Sequence, residues 1–509
     1  MNPRTVAVID IGTASIRMAL ADINNDGQIQ FLEKLNQSVR LGQDVFTKGR
    51  IRRSTIEACV RTLESFQQVM REYKVEKQNI RAVASSAVQE ASNRESFLDR
   101  VAMATGIEIE IVDDAEATRL TYLSVLPFIR DRRTKTTEHT MVLEVGGGRT
   151  EILELKNQNI VETRVMRLGS LRMRNHLEQQ RTPREQVREV LEQEVSNSLH
   201  QMRDEFNEGN PSMILLGGDA RFVAMQVNPE WKRNSLQPVS LKKWKQLTDT
   251  ILGMSTEQCV EQYHLTFAEA ETLGPALYTY GRFAENLGCK TLRVSAFSMR
   301  DGLIQELSQE EGWTENYQEQ MLDSAIQLGR KYSLDEHHGN EVANLSLQLF
   351  DELRDEHHLG PRFRVLLQIS ALLHEIGSFI AATSHHKHSM YILANSPIFG
   401  LGRRDSKIVA NIARYHRRSA PKSSHPYYQQ LPRHDRMVVQ QLSAILRVAD
   451  ALARSRGRRI NKILCERHEE TLFIRVPGVD NLHLENSAMQ VKGKMFEQVF
   501  GMNVILVKG

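Results

Sequence analysis

The chain carries two glycine-rich turns of the same pattern, 134 residues apart. Each turn follows an apolar strand with one carboxylate near its end, Asp10 in the first copy and Glu144 in the second. Successive N–H groups in such a turn form a concave anion site, and carboxylates are the ligands that Mg²⁺ prefers beside phosphate oxygens. The repeat predicts a duplicated fold in which two similar domains face each other across a phosphate-binding cleft. The turns comprise Gly12, Thr13, Ala14 and Ser15, and Gly146, Gly147, Gly148, Arg149 and Thr150.

The order of strand-like and helical stretches predicts the domain organisation. A length of 509 residues predicts three or four domains. Strands and helices alternate up to about residue 308, which indicates an α/β architecture, and residues 315–460 are predicted to be helical before short strands return at 471–475 and 503–507. Ser54 is the predicted N-cap of a helix over 53–73. The predicted domains are 1–126, 127–308, 309–462 and 463–509, with a polar linker at 131–140.

Composition and cysteine usage exclude several classes of protein. The chain is 40% hydrophobic and 25% charged, as ordinary globular proteins are. Its four cysteines are isolated and show no CxxC spacing, which argues against a disulfide framework and a zinc–thiolate site. A strand begins by about Thr5, which leaves no room for a signal peptide, and no apolar run approaches the length of a membrane span. We therefore expect a cytoplasmic protein without a membrane partner.

Positive charge is concentrated in one segment of a nearly neutral chain. The net charge is +3, but residues 381–460 contain 15 Lys and Arg and only 3 Asp and Glu. Such an excess attracts polyanions. Few aromatic residues accompany these cations and no RRM or KH signature is present, so a polyanion without bases fits better than a specific nucleic acid. The candidate residues of this basic track are Arg403, Arg404, Arg414, His416, Arg417 and Arg418.

Further motifs lie outside the two turns: Arg167–Ser170, Gly217-Gly218, Ser295–Gly302, Leu372–Gly377, His386–Ser389 and Arg414–Arg418. Together with the turns, they resemble the exopolyphosphatase and guanosine-pentaphosphate phosphatase family (Ppx/GppA), in its long form and within the actin-like ATPase superfamily. The resemblance runs through nearly the whole chain. It implies an α/β fold made of two actin-like, ribonuclease-H-like domains, followed by an all-α HD-like domain and a small C-terminal segment.

The resemblance also implies a reaction and a set of site residues. The cleft would hold the terminal phosphate of a polyphosphate chain, with Mg²⁺ on carboxylates of the turns and a glutamate that activates water for in-line attack. Asp10, Glu144 and Glu151 are the expected metal ligands and water organisers. The expected phosphate cradle consists of Gly12, Thr13, Ser15, Gly146, Gly147, Gly148, Arg149, Thr150, Gly217 and Gly218.

Two departures from the family pattern bear on catalysis. Ala117 stands where the family has its catalytic glutamate, and an alanine methyl cannot accept a proton. Glu116 is adjacent, but successive side chains on a helix point about 100° apart, so it could act as the base only if the helix begins or rotates differently. Gln89 replaces a phosphate-binding arginine, and Arg149 could restore that charge because arginine binds phosphate oxygens bidentately. Glu116 and Glu151 are the catalytic candidates.

The helical part contains candidates for a second, HD-type metal site. Such a site needs a histidine, a His–Asp pair and a further aspartate, because imidazole and carboxylate groups bind Mg²⁺, Mn²⁺ or iron. The candidates are His338, His374, Glu375 and Asp450, with Glu375 in place of the aspartate of the pair. An HD fold without metal is the favoured interpretation, and Asp450 keeps the metal-binding alternative open.

The sequence thus predicts a Mg²⁺-dependent exopolyphosphatase, with guanosine pentaphosphate as a substrate that it does not distinguish from polyphosphate. A non-catalytic protein that binds polyphosphate or an alarmone is the alternative, which Ala117 and Gln89 favour. A third interpretation moves the chemistry to the HD-like domain as a nucleotide phosphohydrolase. A homodimer is expected from the resemblance alone, and the basic track is expected to hold the polymer.

Overall fold

A computed structural model describes residues 4–24, 26–130, 138–200, 211–232, 234–308, 315–455, 460–479 and 481–508. The chain divides into two compact units, 1–312 and 313–509. Among the helices of the described ranges, none combines the length and the apolar character that crossing a membrane requires.

The first unit alternates strands with helices, as the sequence predicts. Its strands are β1 Arg4–Ile11, β2 Ser15–Ile23, β3 Ile29–Ser38, β4 Ile80–Ala84, β5 Ile109–Ile111, β6 His139–Val145, β7 Thr150–Lys156, β8 Asn159–Met166, β9 Ser212–Leu216, β10 Gln237–Ser240 and β11 Thr291–Val294. Its helices are α1 Leu41–Lys48, α2 Arg53–Glu72, α3 Ser86–Glu90, α4 Arg94–Thr105, α5 Asp114–Arg130, α6 Ser170–Gln179, α7 Val187–His200, α8 Gly218–Val227, α9 Leu241–Leu252, α10 Thr256–Tyr263, α11 Phe267–Asn286 and α12 Met299–Ser308.

The first sheet has the strand order β3-β2-β1-β4-β5, with β1 antiparallel to β2 and parallel to β4. The apolar run of β1 is buried on both faces because side chains alternate across a strand. Ala7 and Ile9 pack in one hydrophobic cluster with residues of α2 and α4. Val6 and Val8 pack on the opposite face with residues of α5 and α12. The acid Asp10 follows this run and lies next to the first glycine turn.

The second sheet repeats this topology. Its strand order is β10-β11-β9-β6-β7-β8, in which β6 is antiparallel to β7 and parallel to β9. The series β8-β7-β6-β9 therefore matches β3-β2-β1-β4 of the first sheet. The outer strand pair of each series, β2–β3 and β7–β8, also contains one register shift, at Leu20/Ala21 and at Glu154/Leu155. The duplicated turns thus occupy equivalent places in two equivalent sheets, and the predicted α/β architecture with two domains is confirmed.

The second unit is mainly helical. Its helices are α13 Glu315–Lys331, α14 Glu336–Glu352, α15 Arg354–His357, α16 Pro361–Leu373, α17 His385–Asn395, α18 Arg403–Arg414, α19 Pro426–Gln429, α20 Arg433–Leu452, α21 His483–Lys492 and α22 Lys494–Phe500. Its strands β12 Leu464–His468, β13 Thr471–Val476 and β14 Asn503–Lys508 form one sheet in the order β12-β13-β14. The long apolar face of α20 packs against α14, α18, α21 and α22, so the C-terminal segment shares its compact unit with the helices.

Local structure differs from the prediction at several points. The predicted N-cap Ser54 lies inside α2, which begins at Arg53. The start of α2 is capped instead by Asp44, whose carboxylate accepts hydrogen bonds from the N–H of Arg52, the residue before the helix, at 3.0 Å and from the Thr55 hydroxyl at 2.6 Å. In the tail, β12, α21 and α22 were not predicted. Residues 131–137 of the predicted linker lie outside the described residues.

Candidate active site

The two glycine-rich turns face each other in the first unit. In both turns the first glycine donates its N–H to the carbonyl three residues later, at 2.9 Å for Gly12 and 2.8 Å for Gly146. The turns approach so closely that a Cβ atom on Gly147 would lie 2.4 Å from Thr13 Oγ1. A side chain at this position would therefore displace the Thr13 hydroxyl, which also lines the cavity, so glycine is favoured there.

A cavity of about 270 Å³ lies between the turns. Two groups of predicted residues line it: the metal ligands Asp10, Glu144 and Glu151, and the cradle residues Gly12, Thr13, Ser15, Gly146, Gly147, Gly148, Arg149, Gly217 and Gly218. Thr150 does not line the cavity: its side chain is buried and its hydroxyl donates to the carbonyl of Leu168. The reason is strand alternation, because Arg149 and Glu151 on either side of Thr150 point to the cavity face.

The three predicted metal ligands in the cavity are largely buried, and this affects their ionisation. Burial, reinforced by the nearby Glu151, raises the pKa of Glu144 to about 7. Burial also raises the pKa of Glu151, against the lowering effect of Arg149. Asp10 is 8% exposed, and its Oδ1 has no hydrogen-bond partner within the described part of the chain.

One or two of these carboxylates could hold a Mg²⁺ ion. A buried carboxylate oxygen without a partner is costly unless a cation or a donor satisfies it. The carboxylate oxygens of Asp10, Glu144 and Glu151 do not all lie within 4.8 Å of one another. In the described part of the chain, the group of His, Cys, Asp and Glu residues that meets this spacing lies in the second unit. Mg²⁺ does not need such a cage, because it commonly keeps several waters and binds one or two carboxylates together with substrate phosphates.

Arg149 joins the second turn to helix α5. Its guanidinium lies 2.8 Å from Glu151 and 2.5 Å from Asp114, the first residue of α5. Arg149, which was predicted to bind phosphate, therefore lines the cavity but is already paired with two carboxylates. Gln89, whose lost charge Arg149 was predicted to replace, is not among the residues that line the cavity.

Helix α5 presents Ala117 to the cavity, and Glu116 lies elsewhere. Arg119 donates from Nε and from Nη2 to the two oxygens of the Glu116 carboxylate, each at 2.7 Å, and Arg119 also pairs with Glu306 at 2.8 Å. The predicted use of Glu116 as a replacement base therefore has no support in this geometry. Helix α5 begins at Asp114 and turns Ala117 toward the cavity. The offset of about 100° between successive side chains on a helix therefore keeps the Glu116 carboxylate outside the site.

Three functional side chains in the cavity were not predicted: Arg17, Thr121 and Arg221. Thr121 hydrogen-bonds to Glu151 and lies four residues after Ala117, on the same helix face, a spacing that could have identified it. Arg17 lies two residues after Ser15 on β2, so strand periodicity could have identified it as well. Arg221 lies near the start of α8, and no local signal marks it; burial and the nearby Arg17 lower its pKa to about 10.

The Gly217-Gly218 pair joins β9 to α8 at the edge of the cavity. Gly217 has a φ of +101°, a conformation that side chains other than glycine rarely adopt. Tyr280 fixes this edge, since its hydroxyl donates to the Leu216 carbonyl and accepts from the Val145 N–H at 2.9 Å. Asp219 follows the pair, and burial raises its pKa to about 7.

The basic track of the second unit is only partly gathered. His416, Arg417 and Arg418 line one cavity of about 940 Å³. Arg404 instead pairs with Asp435 at 2.6 Å, and neither Arg403 nor Arg414 lines this cavity. His416 is 1% exposed, and burial lowers its pKa well below the usual range, so it contributes an uncharged imidazole rather than a cation.

The candidate residues of the HD-type site are brought together except for one. One ligand atom each of His338, His374 and Asp450 lies within 4.8 Å of the others. Glu375 is outside this group and lies at the wall of the 940 Å³ cavity.

The fold and the cleft define a two-lobed α/β protein whose repeated sheets enclose a carboxylate-lined site. The profile of the Ppx/GppA phosphatase family matches residues 19–311, and the profile of domain III of the Ppx/GppA phosphatases matches residues 322–491. The chain therefore belongs to the Ppx/GppA phosphatase family.

Solved structures agree with this fold. An exopolyphosphatase from Cytophaga hutchinsonii is 19% identical with a TM-score of 0.54, and the match covers 60% of this chain and 98% of that chain. An exopolyphosphatase-like protein is 20% identical with a TM-score of 0.53 and the same coverage, 60% and 98%. A Ppx/GppA family member from Aquifex aeolicus is 23% identical with a TM-score of 0.48, again over 60% and 98%. At such identities the first two similarities show the fold alone.

Proposed function

We propose that the first unit hydrolyses the terminal phosphoanhydride bond of inorganic polyphosphate with Mg²⁺ as its metal. Guanosine pentaphosphate, which ends in the same kind of bond, is the alternative substrate. The observation that carries the proposal is the convergence of two glycine turns and three largely buried carboxylates on one cavity. Family membership supports the reaction class, since the family is one of phosphatases.

Asp10 and Glu144 would hold the metal, which supplies positive charge to the phosphate oxygens when it is bound. The backbone N–H groups of the facing turns would bind the terminal phosphate, together with the hydroxyls of Thr13 and Ser15, which line the cavity. Such a site acts mainly by positioning and charge neutralisation.

Glu151 would orient the attacking water and accept its proton. Burial raises the pKa of Glu151, and a higher pKa makes a carboxylate a stronger base. Thr121 hydrogen-bonds to Glu151 and Arg149 pairs with it, so the direction of its carboxylate is defined. Arg149 and Arg221 would stabilise the negative charge of the transferred phosphoryl group.

The charge of the cavity makes the reaction dependent on a divalent cation. Five carboxylates line the cavity, against three guanidinium groups. The acids are Asp10, Glu144, Glu151, Asp219 and Glu269, and the cations are Arg17, Arg149 and Arg221. Asp10 and Glu144 share one part of the cavity wall, so the oxygens of a phosphate chain would be repelled there unless a cation lies between them, and we therefore expect no turnover without Mg²⁺.

A second candidate function is phosphate-chain binding without turnover. It is favoured by Ala117, which offers no proton acceptor at the cavity wall, and by Arg149, which pairs with the remaining base Glu151. Loss of a general base commonly costs about 10²–10⁴-fold in rate, so the absence of the glutamate at position 117 is compatible with a slow enzyme as well as with a binding protein.

Phosphate release from long-chain polyphosphate, with guanosine pentaphosphate in parallel, distinguishes these candidates. We expect wild type to release phosphate with Mg²⁺, Glu151→Gln to be inactive, and Glu116→Gln to remain active because Glu116 lies outside the cavity. A silent wild type that still binds polyphosphate would support the binding protein, and Ala117→Glu would then be expected to restore turnover. Wild type that neither binds nor hydrolyses either substrate would refute both candidates.

For the second unit we propose an HD-like helical fold whose cavity wall at Arg417 and Arg418 contacts the polymer. The match to domain III and the presence of Arg447 and Arg454 in the same wall support this. Because contacts between exposed charges are screened by salt, Arg417→Ala with Arg418→Ala should weaken polyphosphate binding and reduce its salt dependence. A homodimer stays a prediction.

A further inference from the structure

The second unit contains a cluster of buried imidazoles that the phosphatase chemistry does not use. His338 at the start of α14, His374 after α16 and Asp450 near the end of α20 come from three separate helices, and each is buried. One ligand atom from each lies within 4.8 Å of the other two. Ligand atoms of one ion lie at most about 4.4 Å apart, since metal–ligand distances are about 2.0–2.2 Å, so a small movement of these side chains would let one ion contact all three.

The protonation of His374 leaves its inner nitrogen ready to bind a cation. Its Nδ1 lies 2.6 Å from the Ala371 carbonyl and so carries the hydrogen. Its Nε2 is therefore an acceptor, and it has no hydrogen-bond partner within the described residues. His374 is 1% exposed, and a buried acceptor of this kind calls for a donor or a cation. Histidines that bind metals are commonly anchored in this way, through the opposite ring nitrogen to a backbone carbonyl.

Two more imidazoles next to the cluster show the same arrangement. His416 bonds through Nδ1 to the Ala413 carbonyl at 2.6 Å, and His385 through Nδ1 to the Ala382 carbonyl at 3.1 Å. Their Nε2 atoms form a hydrogen bond at 3.2 Å, and Arg417 donates to the His385 ring at 3.3 Å, so these two imidazoles are already paired. The His374 ring lies 4.9 Å from the His416 ring, which places five polar side chains around the orphaned Nε2 of His374: His338, Asp450, His385, His416 and Arg417.

We propose that His338, His374 and Asp450 bind a divalent transition metal ion such as Mn²⁺ or Fe²⁺. Two imidazoles and one carboxylate form a donor set that suits such ions, and no cysteine takes part. The ion is accessible, because Asp450 and His416 also line the 940 Å³ cavity. This site is separate from the proposed cleft of the first unit, whose described lining contains no histidine.

Lys492 is the competing cation in this region. Its ammonium group contacts the Asp450 carboxylate, and it is the main cause that lowers the pKa of Asp450. A carboxylate has two oxygens and about four lone-pair sites, so Asp450 can accept from Lys492 and still bind a metal. The two cations repel each other, however, and removing Lys492 should therefore strengthen metal binding. If Asp450 served only in a buried ion pair, removing Lys492 would instead destabilise the unit and bring no metal affinity.

Pulsed EPR on the full-length chain loaded with Mn²⁺ tests the proposal, because imidazole ligands give ¹⁴N couplings that a carboxylate-only site lacks. We expect these couplings in wild type and in Glu144→Gln, which alters only the cleft. We expect them to be lost in His374→Gln and His338→Gln. His468→Gln is the matched control, because His468 is an exposed histidine on β12.

Titration with Mn²⁺ supplies the second measurement. Substitution of a metal's supporting residues typically costs about 10–100-fold in affinity, so Asp450→Asn, which removes a ligand, should cost at least about tenfold. Lys492→Met should raise the affinity. The proposal is overturned if wild type shows no ¹⁴N couplings, if the couplings persist in both histidine variants, or if Lys492→Met lowers the affinity while the protein stays folded by circular dichroism.

Discussion

Gly302 is the position at which one methyl group should disturb both stability and the cleft. It lies in α12, where a Cβ atom would be 2.2 Å from the Leu120 carbonyl oxygen of α5. Ordinary contact begins at 3.4 Å, so Gly302→Ala must separate the two helices by about 1 Å. The neighbour is backbone, and a side-chain rotation cannot relieve the clash. Helix α5 also carries Ala117 and Thr121, so the shift reaches the cavity wall.

The expected cost follows from two opposing effects. Overpacking of a well-packed core costs about 1–3 kcal/mol. Replacing glycine by alanine inside a helix regains about 0.5–1 kcal/mol through backbone entropy. We therefore expect Gly302→Ala to lower the free energy of unfolding by about 1–2 kcal/mol, and to slow phosphate release because Thr121 moves relative to Glu151.

Gly281→Ala is the matched control. It is also a buried helical glycine, but its Cβ would lie 3.5 Å from the Trp244 ring, at ordinary contact distance. Urea unfolding followed by circular dichroism should show Gly281→Ala equal to wild type or slightly more stable. If both variants unfold at the same urea concentration and release phosphate at the same rate, the argument from the α5–α12 contact is incorrect.

Three further predictions concern the same unit. Thr121→Val keeps the side-chain shape but removes the hydroxyl that bonds to Glu151, and a hydrogen bond of about 1.5 kcal/mol to a charged group predicts about a tenfold fall in kcat for phosphate release; an unchanged kcat would show that Glu151 needs no such orientation. Tyr280→Phe leaves the Leu216 carbonyl and the Val145 N–H without their partner, so thermal or urea unfolding should show a loss of about 1–3 kcal/mol, and wild-type stability would contradict the assignment. Removal of Mg²⁺ with EDTA should stop phosphate release and its return should restore it, whereas metal-independent turnover would refute the charge argument for the cavity.

Much of the fold follows from local patterns in the sequence. The apolar strands that end in Asp10 and Glu144 mark equivalent positions, and the two sheets repeat the same order around them. Hydrogen bonding within each turn is also local, so the turns could be located without tertiary information. The tail was less predictable, because β12 is short and largely exposed and shows no apolar alternation.

Contacts between distant segments explain what the sequence could not show. The N-terminus of α2 is held by Asp44, which precedes the helix by nine residues, so a search for a cap next to the helix selected Ser54. Arg221 reaches the cavity only because β9 lies beside β6 in the sheet. The exclusion of Glu116 depends on the rotation of α5, which its packing against α12 determines.

The bonds that α5 makes across the cleft have a consequence for the catalytic cycle. This helix packs against the first sheet, β1 to β5, which with its helices forms the first lobe. Thr121 nevertheless bonds to Glu151 of β7, and Asp114 pairs with Arg149, so both partners belong to the second lobe, built on the sheet of β6 to β11. Any hinge motion that separated the lobes would break these bonds and release the proposed base at the same moment. In the proposed hydrolysis, opening for product exit and loss of the water-activating arrangement would then be a single event. The open form would be unable to attack a phosphate chain, and only closure on a bound chain end would assemble the base.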